Sequence, residues 1–136
     1  MTKISDYTFI TLGSFPVLNL NGEGADATIS KVESVSLHAT RFGSADSDGK
    51  TEYLLEAEFR TDILKSEFNR MESVINVRES VLVSDLNEFI SAFAHFAHNL
   101  NETTLANRCG FFALKVDNLT REDIRASLLV NYGINE

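Results

Sequence analysis

Two histidines, His95 and His98, stand three residues apart in a segment of helical periodicity, and side chains at this spacing can share a metal ion. A helical wheel places both rings opposite the phenylalanines of that segment, so we expect them to face solvent. A catalytic metal needs at least three protein ligands, and His38 or a carboxylate would have to come from elsewhere. We therefore expect no metal and no cofactor. A small enzyme or metal-binding protein using His95 and His98 is the alternative.

Two other groups have the residue types of catalytic sites. Cys109 precedes Gly110 and could pair with one of the histidines, but a single cysteine at the start of a strand is typical of a small buried hydrophobe. Glu56 and Glu58 lie on one strand face about 7 Å apart, near the spacing of a general acid and base acting on sugars. Such sites use tryptophan platforms, and the chain has no Trp. We predict that the protein is not an enzyme.

The stretch "EYLLEAEFR", residues 52–60, carries three carboxylates on one predicted strand face. Like charges at this spacing repel, and we expect that the fold gains nothing from them. Charges placed this way steer a basic protein partner, so we predict a partner-binding surface. Its residues are Asp46, Asp48, Glu52, Leu54, Glu56 and Glu58.

The segment "GSADSDGK", residues 43–50, joins the strands "ATISKVESVSLHATRF" and "EYLLEAEFR". Its Asp-Gly pair is a strong hairpin signal between alternating strands. Asp46 and Asp48 also suggest a calcium loop, but the terminal bidentate glutamate of an EF-hand is missing. We predict an ordinary hairpin.

The strongest helix signal covers residues 85–99, "DLNEFISAFAHFAHN". Asp85 with Glu88 resembles a capping box, with Ser84 as the other candidate cap. The apolar residues occupy one wide arc, which predicts burial of Phe89, Phe93 and Phe96. An apolar face of this width needs a sheet to cover it.

The remaining segments favour strands. "YTFIT" predicts a strand that ends at a turn or an edge near Gly13 and Pro16, and "GFFALKV" predicts another. "TDILKSEFNRMES" is ambiguous, with a loop and one helical turn as the interpretation. "VINVRESVLV" alternates, and its Glu79 indicates an edge strand.

The last segment, residues 124–132, has unbroken period-two alternation, although Thr120 and Asp123 resemble a helix cap. We predict a strand there. The fold class is therefore α+β: a single domain over residues 1–136, with an antiparallel sheet of five to six strands packed on one main amphipathic helix.

The chain is acidic, with a net charge of −8, and residues 44–88 hold 11 acidic and 5 basic residues against 9 and 7 in the rest. Nucleic acids and anionic membranes bind through Lys and Arg clusters, so we expect neither as a partner. The sequence shows no signal peptide and no run of about 18 apolar residues, so we predict a cytoplasmic protein.

This layout, an acidic chain with an antiparallel meander, the helix "DLNEFISAFAHFAHN" and a returning hairpin, resembles the small bacterial immunity proteins that neutralise polymorphic toxins, including the WapI-like group. The resemblance spans roughly residues 27–132 and lies in patterning, so no functional residue is transferred. It implies stoichiometric binding of a cognate toxin, often a basic nuclease, whose active site is blocked. A phage-encoded inhibitor of a host defence complex is a second alternative with the same layout.

Overall fold

The computed structural model describes the backbone of residues 2–19, 29–43, 46–66, 69–100, 114–116 and 119–136. Statements about side chains refer to residues 2–15, 34–43, 46–58, 76–100 and 119–136. In chain order the elements are a short 3-10 helix (Ile4–Asp6), β1 (Phe9–Asn19), β2 (Ile29–Phe42), β3 (Thr51–Ser66), β4 (Asn69–Val83), α1 (Leu86–Asn99), β5 (Leu114–Val116) and α2 (Arg121–Tyr132).

The strands form an antiparallel sheet in the order β4-β3-β2-β1-β5. The predicted α+β class is therefore confirmed. The body of the sheet in the described part of the chain has four strands rather than five to six, because β5 is only three residues long and pairs with the end of β1. The described residues also form two α-helices, where one main helix was expected.

Strand β1 continues through the segment in which we expected it to turn. The register with β2 shifts between Thr11 and Gly13, and Gly13 has a φ of 103°. This positive φ suits glycine, because residues with a Cβ rarely adopt it, and glycine thus accommodates the β-bulge. The prediction that Gly13 and Pro16 end the strand is wrong, since Pro16 pairs with Ser34 beyond the bulge.

The ambiguous stretch after residue 60 is strand on both sides of residues 67–68. Strand β3 reaches Ser66 and β4 begins at Asn69, so the loop interpretation of "TDILKSEFNRMES" is wrong. Strand β4 lies at one end of the described sheet, which confirms the predicted edge strand. Its Glu79 pairs with Leu55 in the core-facing row and remains exposed.

Helix α1 forms where the periodicity predicts it. Asp85 is the N-cap and accepts a hydrogen bond from the Glu88 N–H at 2.8 Å, while the Glu88 carboxylate accepts one from the Ser84 N–H at 2.9 Å. Phe89, Phe93 and Phe96 are buried, as predicted, and the Phe93 ring meets each of the other two edge to face.

The predicted strand over residues 124–132 is wrong, because this segment is helix α2. Thr120 and Asp123 cap each other reciprocally, and Gly133 ends the helix in the left-handed conformation. Ile124 and Leu128, four residues apart, are buried, whereas Val130 is 81% exposed although it continues the alternating row. The capping residues were therefore a better signal than the alternation, because some residues of the alternating row are buried and others are exposed.

The core lies between one face of the sheet and the two helices. It contains residues of β1, β2 and β3, the apolar arc of α1 and the two buried residues of α2. Among the described residues, no helix is long and apolar enough to cross a membrane. The opposite face of the sheet carries the predicted partner-binding residues of β3.

Candidate functional site

The outer face of the sheet is built by the β2–β3 hairpin and its neighbours. The hairpin predicted around the Asp-Gly pair is confirmed, and its register places His38 opposite Glu56 and Ser36 opposite Glu58. Strand β4 then places Arg78 opposite Glu56. Side chains directly across antiparallel strands are in contact range, so His38, Glu56 and Arg78 form one row across three strands.

Among the described side chains of this face, His38 is the most enclosed polar one, with 9% of the residue exposed. Its Nε2 donates a hydrogen bond to Oε1 of Glu56, because an ionised carboxylate only accepts. Oε1 of Glu58 lies 3.5 Å from the same nitrogen. The ring of Phe9 packs against the imidazole, with 5.2 Å between ring centroids. The imidazole is thus held between two carboxylates and an apolar ring.

Glu56 has two partners among the side chains that the structure describes. Nε of Arg78 donates to its Oε2, while His38 occupies its Oε1. Burial by itself would raise the pKa of the Glu56 carboxyl, but the hydrogen bonds and positive charges of Arg78 and His38 lower the pKa below its usual value. The expectation that the fold gains nothing from this carboxylate is therefore wrong.

The other two glutamates of the row are more open. Glu52 is exposed and accepts a hydrogen bond from the Ser80 hydroxyl at 2.9 Å. The side chain of Glu58 is 41% exposed. Leu54 is half-buried between them. Glu52 and Glu58 are therefore the more exposed carboxylates of the row, and Glu58 also lies 3.5 Å from His38 Nε2.

Large apolar side chains lie on the same face at the hairpin end. Phe9, Phe42 and Leu82 are each about half exposed. Phe42 and Leu82 flank Glu52 in register, and Phe9 pairs with Thr40 two residues away. The outer face therefore combines carboxylates with exposed apolar area, and we call this set of residues, Phe9, Phe42, Glu52, Leu54, Glu58 and Leu82, the acidic-apolar face.

The hairpin tip uses one of its two predicted binding residues for its own turn. Oδ1 of Asp46 accepts hydrogen bonds from the backbone N–H groups of Asp48 and Lys50, each at 2.9 Å. An Asp side chain that bonds to the backbone two residues on is a standard turn former. Asp48 is exposed at the tip. The tip is thus a structured turn, with Asp46 shaping it and Asp48 projecting from it.

In the described part of the chain, no third possible metal ligand lies near both His95 and His98. Both are exposed, as predicted, and the Asn99 amide is 3.0 Å from Nε2 of His95. Within the residues whose side chains are described, the group of three possible metal ligands is His38, Glu56 and Glu58. Cys109 lies outside the described residues.

The sequence-based predictions do not place His38 next to Glu56 and Glu58. The signal was present, because the hairpin prediction fixes which residues face each other once its loop is placed. Counting back from Phe42 and forward from Glu52 in the observed register leads to His38 and Glu56. The contribution of Arg78 needed the position of β4, which the sequence left open.

A pocket of about 410 Å³ lies at the hairpin end, on the other side of the sheet from the acidic-apolar face. Arg41, Tyr53, Asp85 and Glu136 are among its lining residues. The Tyr53 hydroxyl and the Arg41 Nε atom are buried, and neither has a hydrogen-bond partner among the residues that the structure describes. Tyr53 is a core residue whose ring packs edge to face on Phe89, 5.2 Å between centroids.

No family model matches the chain, and comparisons with curated proteins and with solved structures find no significant match.

Proposed function

We propose that the protein is a binding protein that neutralises or regulates a protein partner with a basic surface, by stoichiometric complex formation of the immunity or inhibitor type. The observation that carries the proposal is the acidic-apolar face, where exposed Glu52 is flanked by half-exposed Phe42 and Leu82, and where Phe9 and Glu58 lie further along the same face. A toxin or nuclease with a basic active site is the kind of partner that suits this face. We propose the bacterial cytoplasm as its compartment.

The chemistry of the face supports binding through a mixed interface. Protein interfaces place large apolar side chains at their centre, and aromatic residues are enriched there. Carboxylates around such a centre attract a basic partner and raise its association rate. Glu56 contributes less to this attraction, because Arg78 and His38 already pair with it. Glu52 and Glu58 are therefore the residues that we expect to steer the partner.

The test is the salt dependence of association with a partner captured on the immobilised protein, identified and purified. The double variant Glu52→Gln with Glu58→Gln removes two charges from the face. A matched control, Glu79→Gln with Glu122→Gln, removes two exposed charges elsewhere. At about 50 mM salt we expect the first variant to associate several-fold more slowly, roughly 3- to 10-fold, and the control to associate like the parent.

At about 300 mM salt the difference should shrink, since the Debye length falls below 10 Å. A third variant, Phe42→Ser with Leu82→Ser, should increase the dissociation rate instead. Equal rates for the parent and the Glu52/Glu58 variant at low salt, together with unchanged dissociation of the Phe42/Leu82 variant, would place the interface elsewhere and refute the proposal.

A further inference from the structure

His38, Glu56 and Glu58 combine the ligand types and the spacing of a metal site. Their ligand atoms all lie within 4.8 Å of one another, and His38 Nε2 is 3.5 Å from Glu58 Oε1. Ligands of a tetrahedral zinc ion sit about 2.0 to 2.2 Å from the metal, which puts them roughly 3.3 Å from each other. We infer that these three residues bind a divalent transition-metal ion, with zinc as the best fit, contrary to the expectation of no metal.

The backbone holds the three ligands in place before any ion arrives. His38 and Glu56 are directly opposed across the β2–β3 pair, and Glu58 follows two residues later on the same strand face. Small side-chain movements are then sufficient: Glu58 approaches, and Glu56 moves back from hydrogen-bond distance. The ion takes the place of the Nε2 proton, because histidine binds a metal as neutral imidazole through a lone pair.

The surroundings resemble the outer shell of a metal site. Arg78 bonds to Oε2 of Glu56 and leaves Oε1 directed at His38. Hydrogen bonds of this kind orient ligating carboxylates. The Phe9 ring covers one side of the imidazole and limits the access of water. Arg78 also brings a positive charge, so we expect weaker binding than in a closed site with four protein ligands.

The ligand set selects the class of metal. An imidazole nitrogen with two carboxylates suits zinc and similar transition ions, whereas calcium and magnesium prefer oxygen ligands alone. Three protein ligands leave a fourth position for water or a partner's side chain, on the side where Glu58 is exposed. An ion bound here would also reduce the negative charge of the outer face.

The test is calorimetric titration of the full-length protein with zinc chloride at pH 7, in a Cys109→Ser background that removes the thiol as a competing ligand. We expect one zinc ion per chain. Glu58→Gln and His38→Gln should each weaken binding at least about 10-fold. His95→Gln, which removes an exposed helical imidazole, should bind zinc like the parent. Cobalt substitution should give the intense visible absorption of a four-coordinate site.

Glu58→Gln is the decisive variant, because it leaves the hydrogen bonds among His38, Glu56 and Arg78 intact and should fold normally. Thermal unfolding of each variant without metal checks the fold. Absence of zinc binding by the parent overturns the inference. Binding that Glu58→Gln leaves unchanged, or that His95→Gln abolishes, overturns it as well, because the ion would then lie elsewhere.

Discussion

Replacing Tyr53 with Phe removes a hydroxyl group that has no hydrogen-bond partner among the described residues, while keeping the ring that packs on Phe89. Tyr53 is 1% exposed, and its Oη atom is buried and makes no hydrogen bond to the described part of the chain. Burial raises the pKa of the Tyr53 hydroxyl, and the nearby charge of Arg41 only partly offsets this rise. The group is therefore a neutral donor at pH 7, and its unfavourable contribution does not change with pH near neutrality.

Leaving a buried polar group unsatisfied costs about 1 to 3 kcal/mol. Because the phenyl ring retains the packing, Tyr53→Phe should keep or increase the free energy of unfolding, with a gain of about 1 kcal/mol as the central expectation. Urea unfolding at pH 7 measures this as a higher midpoint. An unchanged m-value shows that the surface exposed on unfolding is the same.

Tyr7→Phe is the matched control. The Tyr7 hydroxyl donates to the Tyr132 carbonyl oxygen at 2.9 Å, and its ring meets the Tyr132 ring edge to face. This variant should lose about 1 kcal/mol of stability through the missing hydrogen bond. If Tyr53→Phe loses as much as Tyr7→Phe, the Tyr53 hydroxyl has a partner in solution, within the pocket that Tyr53 lines, and the reasoning fails.

Three further changes test the packing, the capping and the ion pairs. Phe93→Ala should lower the free energy of unfolding by about 3 to 5 kcal/mol, measured with urea, because Phe93 is fully buried; a loss below about 1 kcal/mol would contradict the packing of α1 on the sheet. Thr120→Ala should cost about 1 kcal/mol through the lost N-cap of α2, and an unchanged thermal midpoint would contradict the cap. The lowered pKa of Glu56 contributes stability that is present above its unfolded value of about 4.5 and is lost as pH falls through the folded value. Stability measured from pH 7 to pH 3 should therefore fall more in the parent than in Glu56→Gln, and parallel curves would refute the pairing.

The sequence predicted correctly those helices and strands whose formation depends on residues close together in the chain. The cap at Asp85 and the arc of three phenylalanines predicted α1, and alternation around an Asp-Gly turn predicted the β2–β3 hairpin. Both signals act within a few residues, so they are visible in the chain. The charge of Glu79 in an apolar row likewise indicated the edge strand.

The errors arose where tertiary packing or an unusual backbone decided the outcome. Alternation over residues 124–132 was misleading, because α2 buries only Ile124 and Leu128 of that row, and the cap at Thr120 was the better signal. The bulge at Gly13 lets β1 continue where glycine and proline predict a turn. Neither the alternating pattern nor the glycine shows by itself which part of the protein the segment packs against.

The acidic row of β3 was interpreted through its own strand alone. Like charges on one strand repel, which suggested an outside partner for all three glutamates. The neighbouring strands supply His38 and Arg78, so Glu56 has partners inside the protein. The sequence of a single strand shows which of its residues share a face. Which side chains they contact on the neighbouring strands depends on the register of β2 and β4.

The two proposals share Glu58 but remain separable through their other residues. Glu52 belongs to the acidic-apolar face and not to the metal ligands, so Glu52→Gln should slow association with a basic partner and leave zinc binding unchanged. His38 belongs to the ligands and carries no negative charge, so His38→Gln should weaken zinc binding while the carboxylates that steer the partner remain. If the protein binds a partner but not zinc, the role of His38 is structural: together with Arg78 it holds the Glu56 carboxylate. If the protein binds zinc but no partner, the fourth coordination position of the zinc, on the exposed side beside Glu58, would be the candidate site for a reaction.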